Sequence, residues 1–385
     1  MSTDALKRRI APDVISDAAS PPSARVVNER VLELKGFCVD YGVDEGAVRA
    51  VDDVDLHIDR SKVLGVAGES GSGKSTLVYG FTRLLRAPAL ITGGTALFNV
   101  GATSEGGPDE FIDLVTANES ALRRVRWTQI SVVIQSALNA LNPVVRVGSL
   151  FDQVLKAHRR EMSRADRRER ATELLELVGL TEDRLQRFPH ELSGGQRQRV
   201  MIALALTLDP QLVIMDEPTT ALDVVTQREI LGQLAELRAR FGFAMIFITH
   251  DLSLLVELAD EIVVMYAGRI VERAGARALY DAPRHPYTLG LLNSFPPMRG
   301  ERRELTGIPG APPDLSDLPD GCAFHPRCPY AMERCTSERP PLASLDGDDR
   351  SVACWLHVDG VGAAVPAELR RATPMASPGE GGRRE

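Results

Sequence analysis

Five residues, Val63-Leu-Gly-Val-Ala67, run directly into Gly68-Glu-Ser-Gly-Ser-Gly-Lys-Ser75 and then into a helix-compatible stretch that begins at Thr76. The pattern G-x-x-x-x-G-K-[ST] between a strand and a helix constrains the fold more than any other feature of the chain. Glycines at 68, 71 and 73 let the backbone wrap a polyphosphate with successive N–H groups pointing inward, and the following helix N-terminus adds a favourable dipole. Lys74 is placed to reach the outer phosphates and Ser75 to ligate Mg²⁺, with Ser70, Ser72 and Thr76 as further contacts. Lysine is scarce here: five among 45 basic residues. One of the five occupying this position stands out.

About 140 residues later, Leu212-Val-Ile-Met runs into Asp216-Glu217, and Ala244-Met-Ile-Phe-Ile runs into Thr249-His250. Short apolar runs ending abruptly in polar chemistry are the pattern of buried parallel strands that deliver residues to one edge of an α/β sheet. Asp216 fits an acid near Mg²⁺, and Glu217 is placed to polarise an attacking water as general base.

The remaining organisation follows from length and composition. At 385 residues the chain has room for two or three domains, and 44% hydrophobic with 25% charged residues indicates a globular protein with a sizeable core. No stretch approaches the roughly 18–20 apolar residues of a membrane span, and the first residues lack a signal-like apolar region, so a cytoplasmic setting is expected. A net charge of −8 argues against affinity built mainly on phosphate-backbone contacts, so no nucleic-acid partner is expected.

Residues 1–28 and 359–385 read as mobile tails rich in small, polar and charged residues. Val31–Leu34, Phe37–Tyr41 and Ala50–Ile58 alternate as antiparallel strands do, and about 147–178 turns helical. Beyond Ala282 prolines become frequent and mark a loop-rich extension. Cys38 reads as a buried strand residue. The run Arg159, Arg160, Arg164, Arg167, Arg168 and Arg170 reads mainly as a solvated helix face.

Leu192-Ser-Gly-Gly-Gln196 separates one P-loop family from the rest: it resembles the signature motif of ABC transporter ATPases. The resemblance implies an α/β P-loop NTPase cassette over 29–282, with a RecA-like core, an antiparallel β subdomain and a helical subdomain at about 136–196. In that family two ATPase units pair head to tail. Ser193, Gly194, Gly195 and Gln196 of one unit then cover the phosphate held by the P-loop of the other.

Further positions match. Gln135 resembles the residue that senses Mg²⁺ and γ-phosphate, and Asp223 resembles the D-loop residue at the dimer seam. His250 resembles the switch histidine, and Tyr41 the aromatic that stacks on adenine. Ser136-Ala-Leu-Asn-Ala-Leu-Asn-Pro143, His285-Pro-Tyr-Thr288, Ile308–Pro313 and Gly321–Cys328 look like the oligopeptide/dipeptide permease ATPase subfamily, with an extension over 283–358. Members drive uptake of peptides and, in some branches, of nickel or oligosaccharides. The implied partners are a paralogous ATPase subunit, two transmembrane permease subunits and, through them, an extracytoplasmic binding protein. The implied ligands are ATP and Mg²⁺, and the implied location is the inner face of the membrane. A soluble member of the wider family acting on nucleic acid or the ribosome is the rival reading, disfavoured by the single P-loop and the acidic balance.

Cys322, Cys328, Cys335 and Cys354 lie on this extension at spacings unlike paired C-x-x-C zinc folds. Four thiolates on loop-rich backbone suit an iron–sulfur cluster or tetrahedral zinc, and a metal-free quartet is the third option. The subfamily resemblance implies a [4Fe–4S] cluster.

Overall fold

The computed structural model describes residues 29–42, 46–102, 109–135, 141–219, 222–294, 307–345, 350–358, 365–366 and 369. Residues 1–28, Ser136–Ala140, and the 359–385 segment apart from 365, 366 and 369 therefore lie outside the described residues.

Two sheets organise the chain. A four-stranded antiparallel sheet has the order β2-β1-β4-β5. It is built from β1 (Arg30–Tyr41), β2 (Val48–Asp59), β4 (Ala89–Ala102) and β5 (Asp109–Asp113). The runs Val31–Leu34 and Phe37–Tyr41, expected as separate strands, are one strand whose register shifts around Gly36, because a bulge interrupts the alternation without ending the pairing.

The second sheet has eight strands in the order β11-β12-β10-β9-β3-β8-β7-β6. β3 (Val63–Ala67), β6 (Ile130–Val133), β7 (Leu212–Asp216), β8 (Ala244–Ile248) and β9 (Glu261–Tyr266) form its parallel centre. β10 (Arg269–Gly275), β11 (Ala343–Ser344) and β12 (Ser351–Val352) continue it antiparallel.

The central strands read as unbroken apolar runs because both of their faces are covered. On β7, Val213 and Met215 belong to one core, and Leu212 and Ile214 to the other; β8 divides its residues in the same alternating way. The antiparallel sheet and helices α1 (Lys74–Phe81) and α2 (Glu119–Val125) cover one face. The opposite core gathers α3 (Val147–His158), α4 (Arg164–Leu177), α5 (Gly194–Ala205), α6 (Val224–Phe241) and α7 (Leu252–Leu258).

The helical stretch expected over 147–178 is two helices. α4 starts afresh at Ser163, whose side chain accepts from the Asp166 N–H while the Asp166 carboxylate accepts from the Ser163 N–H, a reciprocal cap. Three arginines of the run expected as a solvated face are paired with acids, Arg167 with Asp152, Arg168 with Glu182 and Arg170 with Asp209. Cys38 is buried on β1, as expected.

After α8 (Ala276–Asp281), the last helix of the cassette, the extension includes α9 (Pro286–Asn293), α10 (Glu333–Ser337), β11 and β12. It is continuous with the cassette in both sheet and core. Val352 of β12 pairs with Glu272 of β10. The Tyr287 and Phe324 rings lie 4.6 and 5.2 Å from that of Tyr266, edge-on. Glu272, fully buried, accepts the backbone N–H groups of Arg284 and His285. Within the stretch expected as a C-terminal tail, Leu369 is fully buried and its carbonyl accepts from the Arg284 guanidinium, so the mobile reading does not hold at that residue.

Candidate active site

Two glycines fix the shape of the loop between β3 and α1. Gly73 has φ 100°, and a Cβ there would stand 2.4 Å from the Ala50 carbonyl oxygen. Gly68 has φ 148°, and its Cβ would meet the Met265 carbonyl oxygen at 2.4 Å. Both positions combine a left-handed backbone with contact against a neighbouring strand, which only glycine tolerates. Gly71, the third glycine, also has positive φ and faces open space.

Lys74 is almost fully buried at the start of α1. Its Nζ donates to the carbonyls of Gly68 (2.8 Å) and Glu69 (2.7 Å) and to Ser72 Oγ (3.3 Å). Burial lowers its pKa, opposed by the nearby charges of Glu217, Asp216 and Glu69. Ser70 and Gly71 are exposed at the loop tip and Ser72 is buried beneath it.

The end of β7 meets this loop. Ser75 Oγ donates to Asp216 Oδ1 at 3.0 Å, and Tyr79, one turn further along α1, donates its hydroxyl to Asp216 Oδ2 at 2.7 Å. Asp216 is fully buried, and desolvation raises its pKa against the lowering effect of those two hydrogen bonds. Tyr79 is a site residue the sequence reading missed. Its only signal is a four-residue spacing from Ser75, which puts both side chains on one face of α1.

Glu217 follows with φ 45°, a left-handed conformation held by its N–H bond to the Ile248 carbonyl of β8 (3.0 Å). Gln135, just beyond β6, donates its amide to Glu217 Oε2 at 3.0 Å, and His250 Nδ1 stands 3.7 Å from Glu217 Oε1. The ends of three neighbouring strands, β6, β7 and β8, thus bring Gln135, Glu217 and His250 together. Tyr41 is 37% exposed, and its hydroxyl lies 3.3 Å from the Thr76 hydroxyl, so the aromatic borders the same helix start.

The remaining sequence candidates sit elsewhere. Ser193 caps α5, exchanging hydrogen bonds with Gln196, and a Cβ on Gly195 would meet the Thr226 methyl at 2.7 Å. Gly194 faces Leu222. Asp223 caps α6, accepting from the Val225 and Thr226 N–H groups and the Thr226 hydroxyl, which hold its carboxyl below the usual range. Ser193–Gln196 and Asp223 therefore form one surface at two adjacent helix N-termini. Thr220 and Ala221 lie outside the described residues.

Cys322, Cys328, Cys335 and Cys354 all line one cavity of about 20 Å³, together with His285, Phe324 and Trp355. Burial pushes the Cys328 thiol up to about 11 and the Cys354 thiol up to about 12, reinforced by the other cysteines. The four thiols thus share one enclosed space. Yet no group of three His, Cys, Asp or Glu side chains among the described residues is arranged to hold a metal ion. The cavity has room for a water or a single ion, so the expected [4Fe–4S] cluster has no preformed place: the loops would have to part to admit it.

Residues 51–220 match the ABC transporter family, and residues 271–335 match the oligopeptide/dipeptide transporter C-terminal region. The dipeptide transport ATP-binding protein DppD of Caldanaerobacter subterraneus subsp. tengcongensis is 41% identical over 331 residues, covering 86% of this chain and 98% of that protein. The oligopeptide transport ATP-binding protein OppD of Escherichia coli K12 is 42% identical over 347 residues, covering 90% and 98%. Among solved structures, the dimeric post-hydrolysis state of the ATP-binding cassette MJ0796 bound to ADP and Pi matches with a TM-score of 0.55 and 28% identity. It covers 64% of this chain and 98% of that one. With these identities spanning nearly the whole length of its relatives, and with the P-loop, Asp216 and Glu217 drawn together as described, the chain belongs to the ATP-hydrolysing subunits of ABC transporters, in the branch that carries the oligopeptide/dipeptide C-terminal region.

Proposed function

We propose that this chain is the ATP-hydrolysing motor of a binding-protein-dependent peptide importer, peripheral at the inner face of the cell membrane. One observation carries the reading: Lys74, Ser75, Asp216, Gln135, Glu217 and His250 converge on a single phosphate-binding loop in a chain that also has a peptide-transporter C-terminal region. Peptide as cargo is supported by the names of the relatives, which are dipeptide and oligopeptide transport proteins.

In this reading Lys74 exchanges the carbonyls of Gly68 and Glu69 for phosphate oxygens. Ser70, Gly71, Ser72, Gly73 and Thr76 offer the N–H groups and hydroxyl around it, and Tyr41 packs on the adenine. Glu217 takes the proton of the attacking water, and Gln135 and His250 hold its carboxylate in place. The residues fit Mg²⁺. Asp216 is a buried carboxylate whose ionised form lacks solvent, and Ser75 Oγ is already its neighbour; these two and the Gln135 side-chain oxygen would hold the ion. Bound Mg²⁺ neutralises charge on the transferring phosphate.

Tyr79 gives a pH test. Its hydrogen bond lowers the Asp216 pKa against desolvation, so Tyr79→Phe raises that pKa further and keeps Asp216 protonated to higher pH. The acid limb of the Mg²⁺-dependent ATPase profile then moves toward neutrality while the alkaline side stays put. An unmoved acid limb in kcat/KM against pH would remove Asp216 from the metal role.

Ser193, Gly194, Gly195, Gln196 and Asp223 are read as the surface that covers the partner's phosphate, and the partner is proposed to be a paralogous subunit. Val224 and Val225, exposed beside Asp223, give that seam an apolar element. Leu84, Trp127 and Ile134 are exposed around a cavity of about 230 Å³. This groove suits a permease loop, because Ile134 adjoins Gln135 and pressure there would reach Glu217 through the Gln135 amide. The cysteine quartet is proposed to take up an iron–sulfur cluster only once its loops part, with a structural or regulatory role outside the ATP cycle.

Anaerobically purified chain, reconstituted in vesicles with its partner ATPase and permeases, tests these assignments together. Binding protein loaded with peptide should stimulate ATP turnover severalfold, whereas stimulation by nickel or oligosaccharide alone would move the chain to another branch. The same preparation should contain about four iron and four sulfide per chain; colourless protein free of both would sink the cluster assignment.

A further inference from the structure

The extension does not stand apart from the phosphate-binding loop: it holds Glu69, the second residue of that loop, at two points. Arg327, on a short 3₁₀ turn of the extension (His325–Arg327), is only 6% exposed and makes a two-pronged pair with Glu69. Its Nη1 donates to Oε2 at 2.6 Å and its Nη2 to Oε1 at 3.0 Å. The guanidinium is itself fixed, with Nε donating to the Pro309 carbonyl at 2.8 Å and Nη1 standing 3.4 Å from the Tyr266 hydroxyl. At the second point Tyr287, fully buried in α9, accepts the backbone N–H of Glu69 through its hydroxyl at 2.7 Å.

That N–H belongs to the Gly68–Glu69 peptide, whose carbonyl on the other side accepts from Lys74. One peptide plane is thus pinned between the catalytic lysine and the extension. Its orientation is not free to relax at Gly68, the position whose backbone is already left-handed and pressed against Met265.

We propose that Arg327 and Tyr287 are positioning residues for ATP binding: through Glu69 they hold the phosphate-binding loop in its competent shape, so part of the affinity for nucleotide is set by the extension. The physical reason is preorganisation. A loop that is competent only a fraction of the time binds its ligand more weakly by that fraction. A bidentate, charge-assisted pair with a buried guanidinium is a strong local restraint against such excursions. The proposal concerns only the ATP site and stands or falls independently of what is transported.

The test is ATP binding and steady-state hydrolysis on the full chain carrying Arg327→Gln, Glu69→Gln, the double change, Arg327→Lys and Tyr287→Phe. Arg327→Gln and Glu69→Gln should each raise the Kd and KM for ATP about tenfold, corresponding to a loop competent about one-tenth of the time. The kcat at saturating ATP should stay within about twofold. The double variant should be no weaker than either single one, because each removes the same pair. Tyr287→Phe should raise KM in the same direction, and Arg327→Lys should recover part of the affinity. A purely architectural role predicts a lower melting temperature with KM for ATP unchanged, and that result, or single effects that multiply in the double variant, would overturn the proposal. Should Arg327→Gln fail to fold, Glu69→Gln and Tyr287→Phe, which leave the guanidinium and the aromatic ring in place, decide the matter by the same KM criterion.

Discussion

A chain carrying Glu217→Gln binds ATP as the unsubstituted chain does and hydrolyses it at least about 100-fold more slowly, the scale expected when a positioned general base is removed. The geometry makes this substitution clean. Glutamine has the same shape and can still accept from the Gln135 amide, which lies 3.0 Å from Glu217 Oε2. The strained backbone at φ 45° is held by the Glu217 N–H to the Ile248 carbonyl, a bond the side chain does not enter. Lys74, Ser75 and Asp216, which face the phosphates and the metal in the proposed mechanism, are untouched. With ATP bound and unhydrolysed, the closed pair of ATPase subunits should accumulate. Phosphate release and size-exclusion chromatography with ATP and Mg²⁺ read the two effects separately, and turnover at the unsubstituted rate would remove Glu217 from the role of base.

Ending the chain at Ala282 should yield no soluble, folded cassette. The cut strips β12 from β10 and exposes a strand edge at the end of the central sheet. It removes Tyr287 and Phe324 from their edge-on packing with Tyr266, and Leu291 from the same core. At roughly 2–5 kcal/mol for each large buried side chain, these losses are comparable with the roughly 5–15 kcal/mol that holds a domain together. Glu272 would also lose the backbone N–H groups of Arg284 and His285, leaving a fully buried carboxylate without those donors. Soluble expression, and a melting transition if any protein is recovered, measure the outcome. A soluble truncated chain melting within a few degrees of the full one would contradict it.

The ATP site was legible because its parts are short contiguous motifs, each set by local chemistry. Glycines permit the loop, a lysine and a serine follow it, and an acid pair ends a strand. Motif spacing cannot show which distant side chains close around those parts. Arg327 lies 258 residues from Glu69, and Tyr287 lies 218 residues from it. Nothing in the sequence near either residue announces the contact. Strand β4 escaped the sequence reading because Gly93, Gly94 and Gly101 dilute the β-forming signal along it. Strand β1 was divided in two for a related reason, with Gly36 interrupting the alternation at the bulge. The cysteine quartet was legible as a cluster but not in its detail, since the tightness of the common cavity depends on packing among Phe324, Trp355 and His285. Of the arginine run, Arg159, Arg160, Arg164 and Arg168 are exposed as a solvated face requires, whereas Arg167 and Arg170 are part-buried against Asp152 and Asp209, acids outside the run that its own spacing does not reveal.

The order of the large sheet has a bearing on how the protein comes apart. The extension's strands β11 and β12 prolong the cassette's sheet at one edge, and β10 carries hydrogen bonds to both β9 and β12. Opening of the extension must therefore break the β10–β12 pairing, the bonds to buried Glu272 and the packing of Tyr287 and Phe324 on Tyr266 together, which ties its amide exchange to global unfolding rather than to a private, low-energy event. The two stretches matched separately in the family comparison are in this respect one cooperative unit, and the slowest-exchanging amides should run from β3 through β9 and β10 without a step at residue 282.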